Sequence, residues 1–194
     1  MKNESVSYRD LIKNDATNGL NVRDCYQNLT VAQLQEISQK QSLNYAVMCL
    51  NVTGDLNVST MMRTAHLMGA SDFFIVGRRR YDKRGTVGAQ NYINVHRLNA
   101  LLDDQVTLDA NAIRSIFIEY NLIPIFVEQN GQMLGHCGFA WTDVVSKIYT
   151  NNFKPVIVVG NEGRGIPNDV LALKDEFENS CIVSLPQMGV LRSF

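Results

Sequence analysis

Val156-Ile157-Val158-Val159-Gly160-Asn161-Glu162-Gly163-Arg164-Gly165 carries a short apolar run straight into three glycines within six residues. Such a run, bounded by a turn, reads as a strand buried on both faces. The glycines that follow let backbone approach a ligand closely. Their spacing is G-x-x-G-x-G, which is not the dinucleotide-binding G-x-G-x-x-G, and no G-x-x-x-x-G-K-[ST] occurs anywhere in the chain. Glu162 inside the turn would repel a phosphate. A neutral or cationic ligand, such as a nucleoside bearing a sulfonium, suits the loop better; the plainer reading is a tight strand-to-helix turn.

Working outward, strands and helices alternate. Thr30-Val31-Ala32-Gln33 has the shape of a capping box and predicts a helix to about Gln41. Tyr45–Val52 reads as a strand. Ser59–Met68 reads as a helix, with Val58, Met61, Met62, Ala65 and Met68 at helical spacing and Gly69 as its C-terminal cap. Asp72–Val76 is a strand, followed by an irregular stretch. Asp109 caps a helix whose Ala112, Ile113, Ile116, Phe117 and Tyr120 share one face. Leu122–Val127 (strand), Ala140–Tyr149 (helix), Val156–Val159 (strand), a helix from Pro167 to about Phe177 and a strand Cys181–Leu185 complete the series. This alternation predicts an α/β fold: a mostly parallel sheet covered by helices on both faces. Ligands in such sheets bind beyond the carboxyl ends of the strands, so the loops there should carry the chemistry.

Composition narrows the function. The 194 residues are 45% hydrophobic and 19% charged, too apolar for disorder and sufficient for one domain. Lys+Arg number 18 against 19 Asp+Glu, so a nucleic-acid surface must be a local patch rather than a property of the whole chain. Cys25, Cys49, Cys137 and Cys181 stand far apart, which argues against a zinc site or disulfide framework and for a reducing compartment. The polar start offers no signal segment and no apolar run reaches the roughly 20 residues of a membrane helix; the chain reads as cytoplasmic, with no metal. The N-x-S/T triplets at Asn28, Asn51 and Asn57 then carry no meaning for glycosylation. Residues 1–25 read as a loosely attached polar arm, and 1–42 as an arm and helix ahead of a main unit, 43–194.

Two further loops follow strands. Asp55-Leu56-Asn57-Val58-Ser59-Thr60-Met61-Met62-Arg63 reads most simply as a helix capped at Asn57 or Ser59, with a surface arginine one turn in. Arg63 nevertheless lies near the apolar stripe, where a guanidinium must be paired or aimed at a cleft. Leu185-Pro186-Gln187-Met188-Gly189-Val190-Leu191-Arg192-Ser193-Phe194 joins a rigid proline, a glycine and apolar side chains, suited to clasping an apolar ring such as adenine; alone it would read as a plain loop.

In this order the three segments resemble the motifs of the SpoU (TrmH-like) branch of the SPOUT RNA methyltransferases. The first motif, an Asn followed six residues later by Arg-Thr-Ala, is similar to Asn57…Arg63-Thr64-Ala65. The second, a strand into G-N-E-G-x-G, is matched by Val158 to Gly165. The third, I/L-P-x-x-G-x-x-x-S-L-N, is matched from Leu185 through Ser193, with Phe194 in the place of Leu. The resemblance covers about residues 44–194. It implies a SPOUT-type trefoil knot and a homodimer. The family motif continues with Asn-Val-Ser and a final helix, so the C-terminal part of the knot is expected to be missing from this chain.

The resemblance further implies transfer of a methyl group from S-adenosylmethionine to a ribose 2′-hydroxyl of tRNA or rRNA. In its terms Arg63 stabilises the nucleophilic oxygen, Asn57 and Glu162 bridge the first two loops, and Ser193 hydrogen-bonds nearby. Gly160, Leu185 and Phe194 fall where cofactor contacts lie, with Gly165, Met188 and Leu191 as further candidates. Arg78, Arg79, Arg80, Lys83 and Arg84 put five cations among seven residues after a strand at the same rim. Tyr81 among them offers a stacking surface, so the run reads as an RNA contact against the plain alternative of a solvated loop. His66, His96 and His136 share no spacing and read as structural or exposed. A non-catalytic RNA-binding relative, or a methyltransferase acting on a base, are the rival expectations.

Overall fold

The computed structural model describes residues 21–51, 55–77, 81–134, 141–161 and 163–186. Its centre is a sheet of β1 (Leu43–Asn51), β2 (Ala70–Gly77), β3 (Asn94–Leu98), β4 (Leu122–Met133), β5 (Lys154–Val159) and β6 (Cys181–Ser184). The spatial order is β3-β2-β1-β5-β4-β6 and every neighbouring pair is parallel. Helix α1 (Val31–Gln41) precedes β1. Parallel strands need crossovers, and helices α2 (Asp55–Leu67), α3 (Ala110–Glu119), α4 (Trp141–Thr150) and α5 (Asn168–Leu171) follow β1, β3, β4 and β5 in turn. Among the described residues the β2-to-β3 connection holds only 3-10 turns.

Alternation along the strands sorts the core. Met48, Leu50, Phe74, Val76, Phe126 and Val158 form one face with Ile113 and Phe117 of α3 and Val170 of α5. Val47, Cys49, Phe73 and Ile75 point the other way, onto Val58, Met62 and Ala65 of α2. Ile148 of α4 covers Ile123, Ile125 and Val183 on that same side. The expected α/β class, with a mostly parallel sheet covered on both faces, is the observed one.

Local rules account for the helix ends. Thr30 Oγ1 accepts from Gln33 N–H while Gln33 Oε1 accepts from Thr30 N–H at 2.9 Å, the reciprocal pair the sequence announces. Asp109 caps α3 through Asn111 N–H, and Gly69 ends α2 with φ +84°. Val22 and Tyr26 pack against Val31 and Leu34 of α1, which holds down the end of the polar arm.

Four expectations change. α2 begins at Asp55, so Asn57 and Ser59 lie inside the helix and neither is its cap. Ser59 is instead buried and donates to the Asp82 carbonyl, tying the 81–86 loop to α2. The irregular stretch contains β3, an edge strand whose Asn94 and Arg97 are exposed; its polar residues hide the apolar run a buried strand would show. β4 continues past Val127 to Met133 through a register shift between Val127 and Gln132. The helix after Pro167 is α-helical only through Leu171 and then tightens to a 3-10 turn, Ala172–Asp175. Val170 and Leu173, three residues apart and both buried, fit that three-residue period. The expected knot turns on residues after Pro186, which lie outside the described residues.

Candidate functional site

The turn after β5 is closed by its own backbone. Asn161 N–H donates to the Gly165 carbonyl at 3.1 Å, Gly165 N–H returns to the Asn161 carbonyl at 2.8 Å, and the buried Asn161 side chain accepts from Gly163 N–H at 3.0 Å. Glycine is required at two of its positions. A Cβ on Gly160 would lie 2.4 Å from the Gly165 carbonyl carbon, and Gly165 has φ +64° with a Cβ position 2.7 Å from Glu128 Oε2.

Glu128 is the residue sequence reasoning missed. It follows Val127, whose register partner is Val159 at the end of β5, so it sits on the rim beside the turn. Its Oε2 accepts from Ile166 N–H at 3.1 Å and its Oε1 from Gln129 N–H at 2.9 Å. An acid ending an apolar strand at the ligand-binding rim was the available signal.

The same excursion of β4 touches the third loop. A Cβ on Gly131 would fall 2.4 Å from the Val183 backbone, Ser184 Oγ donates to the Gly131 carbonyl at 3.0 Å, and Leu134 N–H donates to the Ser184 carbonyl at 2.9 Å. Residues 128–131 therefore join the turn after β5 to the end of β6, where Leu185 is exposed. Gly160, Gly165 and Leu185 are brought to one rim in this way. Glu162, Met188, Leu191, Ser193 and Phe194 lie outside the described residues.

Asn57 is exposed in the first turn of α2, which leaves the same rim directly after β1, the neighbour of β5. Arg63 is exposed six residues further on, about 9 Å along the helix axis. It lines a cavity of roughly 340 Å³ between α1 and α2 whose wall includes neither Gly160, Gly165 nor Leu185.

Of the basic run, Arg78, Arg79 and Arg80 lie outside the described residues. Lys83 is exposed, and Arg84 Nη2 pairs with Asp82 Oδ2 at 2.6 Å, where hydrogen bonds from Arg84 pull the Asp82 carboxyl below its usual range. Tyr81, offered by the sequence as a stacking surface, already carries the Arg97 guanidinium 5.2 Å from its ring centroid, with Arg97 Nη2 donating to Tyr81 Oη at 3.1 Å. Arg97 of β3 thus adds a cation to this surface that the reading of the run left out.

His96 Nε2 meets Asp72 Oδ1 at 2.8 Å while its ring stacks on Phe74. His66 is half-buried, its pKa pushed down by burial, with its ring centroid 5.8 Å from that of Tyr92. Cys25, Cys49 and Cys181 are free thiols; burial pushes Cys49 up to about 12. Among the described residues no group of His, Cys, Asp and Glu could hold a metal ion, and no helix is long and apolar enough to cross a membrane.

A parallel α/β sheet with a glycine turn at its carboxyl rim is a ligand-binding architecture of wide use. Its kind here is specific: residues 44–194 match the SpoU rRNA methylase family, and the chain belongs to that family. No curated protein matches it in sequence. Among solved structures it is similar to the TrmH/SpoU tRNA modifying enzyme of A. aeolicus, at 16% identity and TM-score 0.55, covering 84% of this chain and 73% of that one. It is similar to the SpoU methyltransferase AviRb of Streptomyces viridochromogenes in complex with AdoMet, at 19% identity and TM-score 0.51, covering 93% of this chain and 56% of that one. An RNA 2′-O ribose methyltransferase matches at 16% identity and TM-score 0.52, covering 79% of this chain and 50% of that one. At these identities the likeness is one of fold. The chain spans little more than half the length of the second and half that of the third.

Proposed function

We propose that the chain transfers a methyl group from S-adenosylmethionine to a ribose 2′-hydroxyl of tRNA or rRNA, in the cytoplasm and as a homodimer, with residues 43–194 as the methyltransferase unit. The observation that carries this reading is that β1, β5 and β6, which precede the three family motifs, run parallel and end at one rim of a single sheet.

The residues at that rim fit such a cofactor. Gly160 and Gly165 leave no room for side chains, so a ligand there meets backbone. Leu185, exposed beyond β6, supplies apolar cover for a purine ring. Glu128 brings negative charge to the turn, which suits a cation better than a phosphate. S-adenosylmethionine, when bound, supplies an electrophilic methyl group on a positively charged sulfur.

Arg63 stays protonated, so its work is electrostatic: it stabilises the oxygen as the ribose O–H bond breaks and the proton leaves to a phosphate oxygen or to solvent. Asn57 orients the ribose from the first turn of the same helix. Glu162, Ser193 and Phe194 take the parts their motif positions imply, and Arg78, Arg79, Arg80, Lys83 and Arg84 hold the RNA backbone.

The test is transfer of a labelled methyl group to a mixed RNA pool. Arg63→Ala should lower transfer by about a hundredfold or more while leaving cofactor binding nearly intact. Loss of binding and folding together would make Arg63 structural. Digestion of the product to nucleosides followed by mass spectrometry places the label; a label on the base would overturn the ribose assignment.

A further inference from the structure

Half of the residues lining the cavity beside Arg63 belong to a part of the chain that the family match leaves out. That match begins at residue 44, yet one wall of the roughly 340 Å³ cavity comes from the arm at Arg23 and Tyr26 and from Ser38 and Gln41 of α1. The opposite wall holds Arg63 and His66 of α2, and Tyr92 closes it. The two walls are fastened together: Ser38 Oγ donates to the Tyr92 carbonyl at 2.8 Å, and Gln35 Nε2 to the Asn91 carbonyl at 2.9 Å. Gln41 Nε2 donates to Tyr26 Oη at 3.4 Å, and the Arg23 guanidinium stands 5.6 Å from the Tyr26 ring centroid.

The chemistry of the lining is one-sided. The described residues around the cavity include two arginines and no carboxylate, so the interior potential favours an anion. Three ring-bearing side chains, Tyr26, His66 and Tyr92, line the cavity, with Arg23 beside the Tyr26 ring and His66 tilted against Tyr92, and burial favours the neutral form of the His66 ring. The volume is that of a small-ligand site. A planar ring attached to a phosphate meets all three conditions, which is the composition of a nucleotide. Unstacked RNA bases are recognised on aromatic faces and arginine planes of this kind.

We infer that this cavity receives one nucleotide of the RNA substrate, its base against Tyr26 and Tyr92 and its phosphate at Arg23, so that the N-terminal arm and α1 select the RNA presented to Arg63. The inference rests on the proposed function for its occupant and deepens it by assigning the N-terminal segment a substrate-selecting role.

The four nucleoside monophosphates are titrated at millimolar concentration against the full chain, with the signals of His66 and Tyr92 followed by NMR. The free nucleosides and inorganic phosphate serve as controls. One or more monophosphates should shift those signals and bind about tenfold more tightly than either control. Arg23→Glu, at an exposed position, should weaken binding by about tenfold while thermal melting and S-adenosylmethionine binding stay unchanged. Tyr26→Ala should weaken binding and also lower the melting temperature, because Tyr26 packs on Val31 and Leu34. Single-stranded RNA should displace the bound monophosphate; failure to displace it would mean a site for free nucleotides and would overturn the RNA assignment. No shift at His66 and Tyr92 with any monophosphate, or shifts that Arg23→Glu leaves untouched, would overturn the site itself. Failure of the proposed function reads differently: S-adenosylmethionine would not bind the unaltered chain, whatever the monophosphates do.

Discussion

The Glu128 carboxylate accepts the backbone N–H of Ile166 at 3.1 Å, locking the excursion of β4 to the far end of the glycine turn after β5. No local rule joins these two residues; the pairing of β4 with β5 does. Glu128→Ala would leave that N–H without its acceptor, at a cost of about 1–2 kcal/mol. Thermal or urea unfolding should register the loss. Glu128→Gln retains an acceptor and should recover most of the stability but not the negative charge. Calorimetric titration should then show cofactor affinity down by about tenfold in both variants. Full affinity in Glu128→Gln would show that charge at the turn is irrelevant.

The three glycines of the turn should rank by the space around each. A methyl group on Gly160 meets backbone at 2.4 Å, which nothing nearby can relieve. On Gly165 it meets the movable end of Glu128 at 2.7 Å, with the added strain of φ +64°. On Gly163 its nearest neighbour is Asn161 Oδ1 at 3.7 Å, an ordinary contact. Alanine substitutions should therefore destabilise in the order Gly160, Gly165, Gly163, from about 3 kcal/mol or more down to near zero. Urea midpoints read this directly, and a Gly163→Ala as damaging as Gly160→Ala would contradict the closed turn.

Acid should weaken the fold through Asp72. Burial alone would raise this carboxyl, but hydrogen bonds from His96, Lys154 and Ser71 and the Lys154 charge overcome it, holding the group well below the usual carboxylate range. Lys154 Nζ lies 2.7 Å from Asp72 Oδ2, so the cluster ties β2, β3 and β5 together. A group depressed in the folded state stabilises fully above its unfolded value of about 4, and that contribution fades as pH falls below it. Asp72→Asn should lower stability at neutral pH by about 1–3 kcal/mol and flatten the decline between about pH 4 and 2. Melting temperatures across that range would decide it; parallel curves for the two proteins would count against the cluster.

Much of this architecture could be read from residue order because the signals were local. The Thr30–Gln33 box, the Asp109 cap and Gly69 each act within a few residues, and each stands where the pattern puts it. The glycines of 160–165 likewise advertise a close approach of backbone. What escaped was set by partners far away in sequence. β3 carries His96 and Arg97, and its extended form comes from lying along β2, whose Phe74 stacks on His96. Glu128 and Gly131 matter because β5 and β6 flank β4. The cavity at Arg63 depends on α1 being fastened to the 89–92 turn, which no periodicity in either segment foretells.

The strand order also bears on how the chain is made. β1 emerges early, yet one of its two neighbours is β5, with Ala46 set against Val156 more than a hundred residues later. Such distant pairing slows folding, since the intervening loop must close first. During synthesis β1–β3 can assemble while one long side of β1 stays bare, an invitation to stick to other chains. Pieces that stop before Lys154 should therefore precipitate when expressed, and those that reach past Ser184, so that β5 and β6 both flank β4, should stay dispersed.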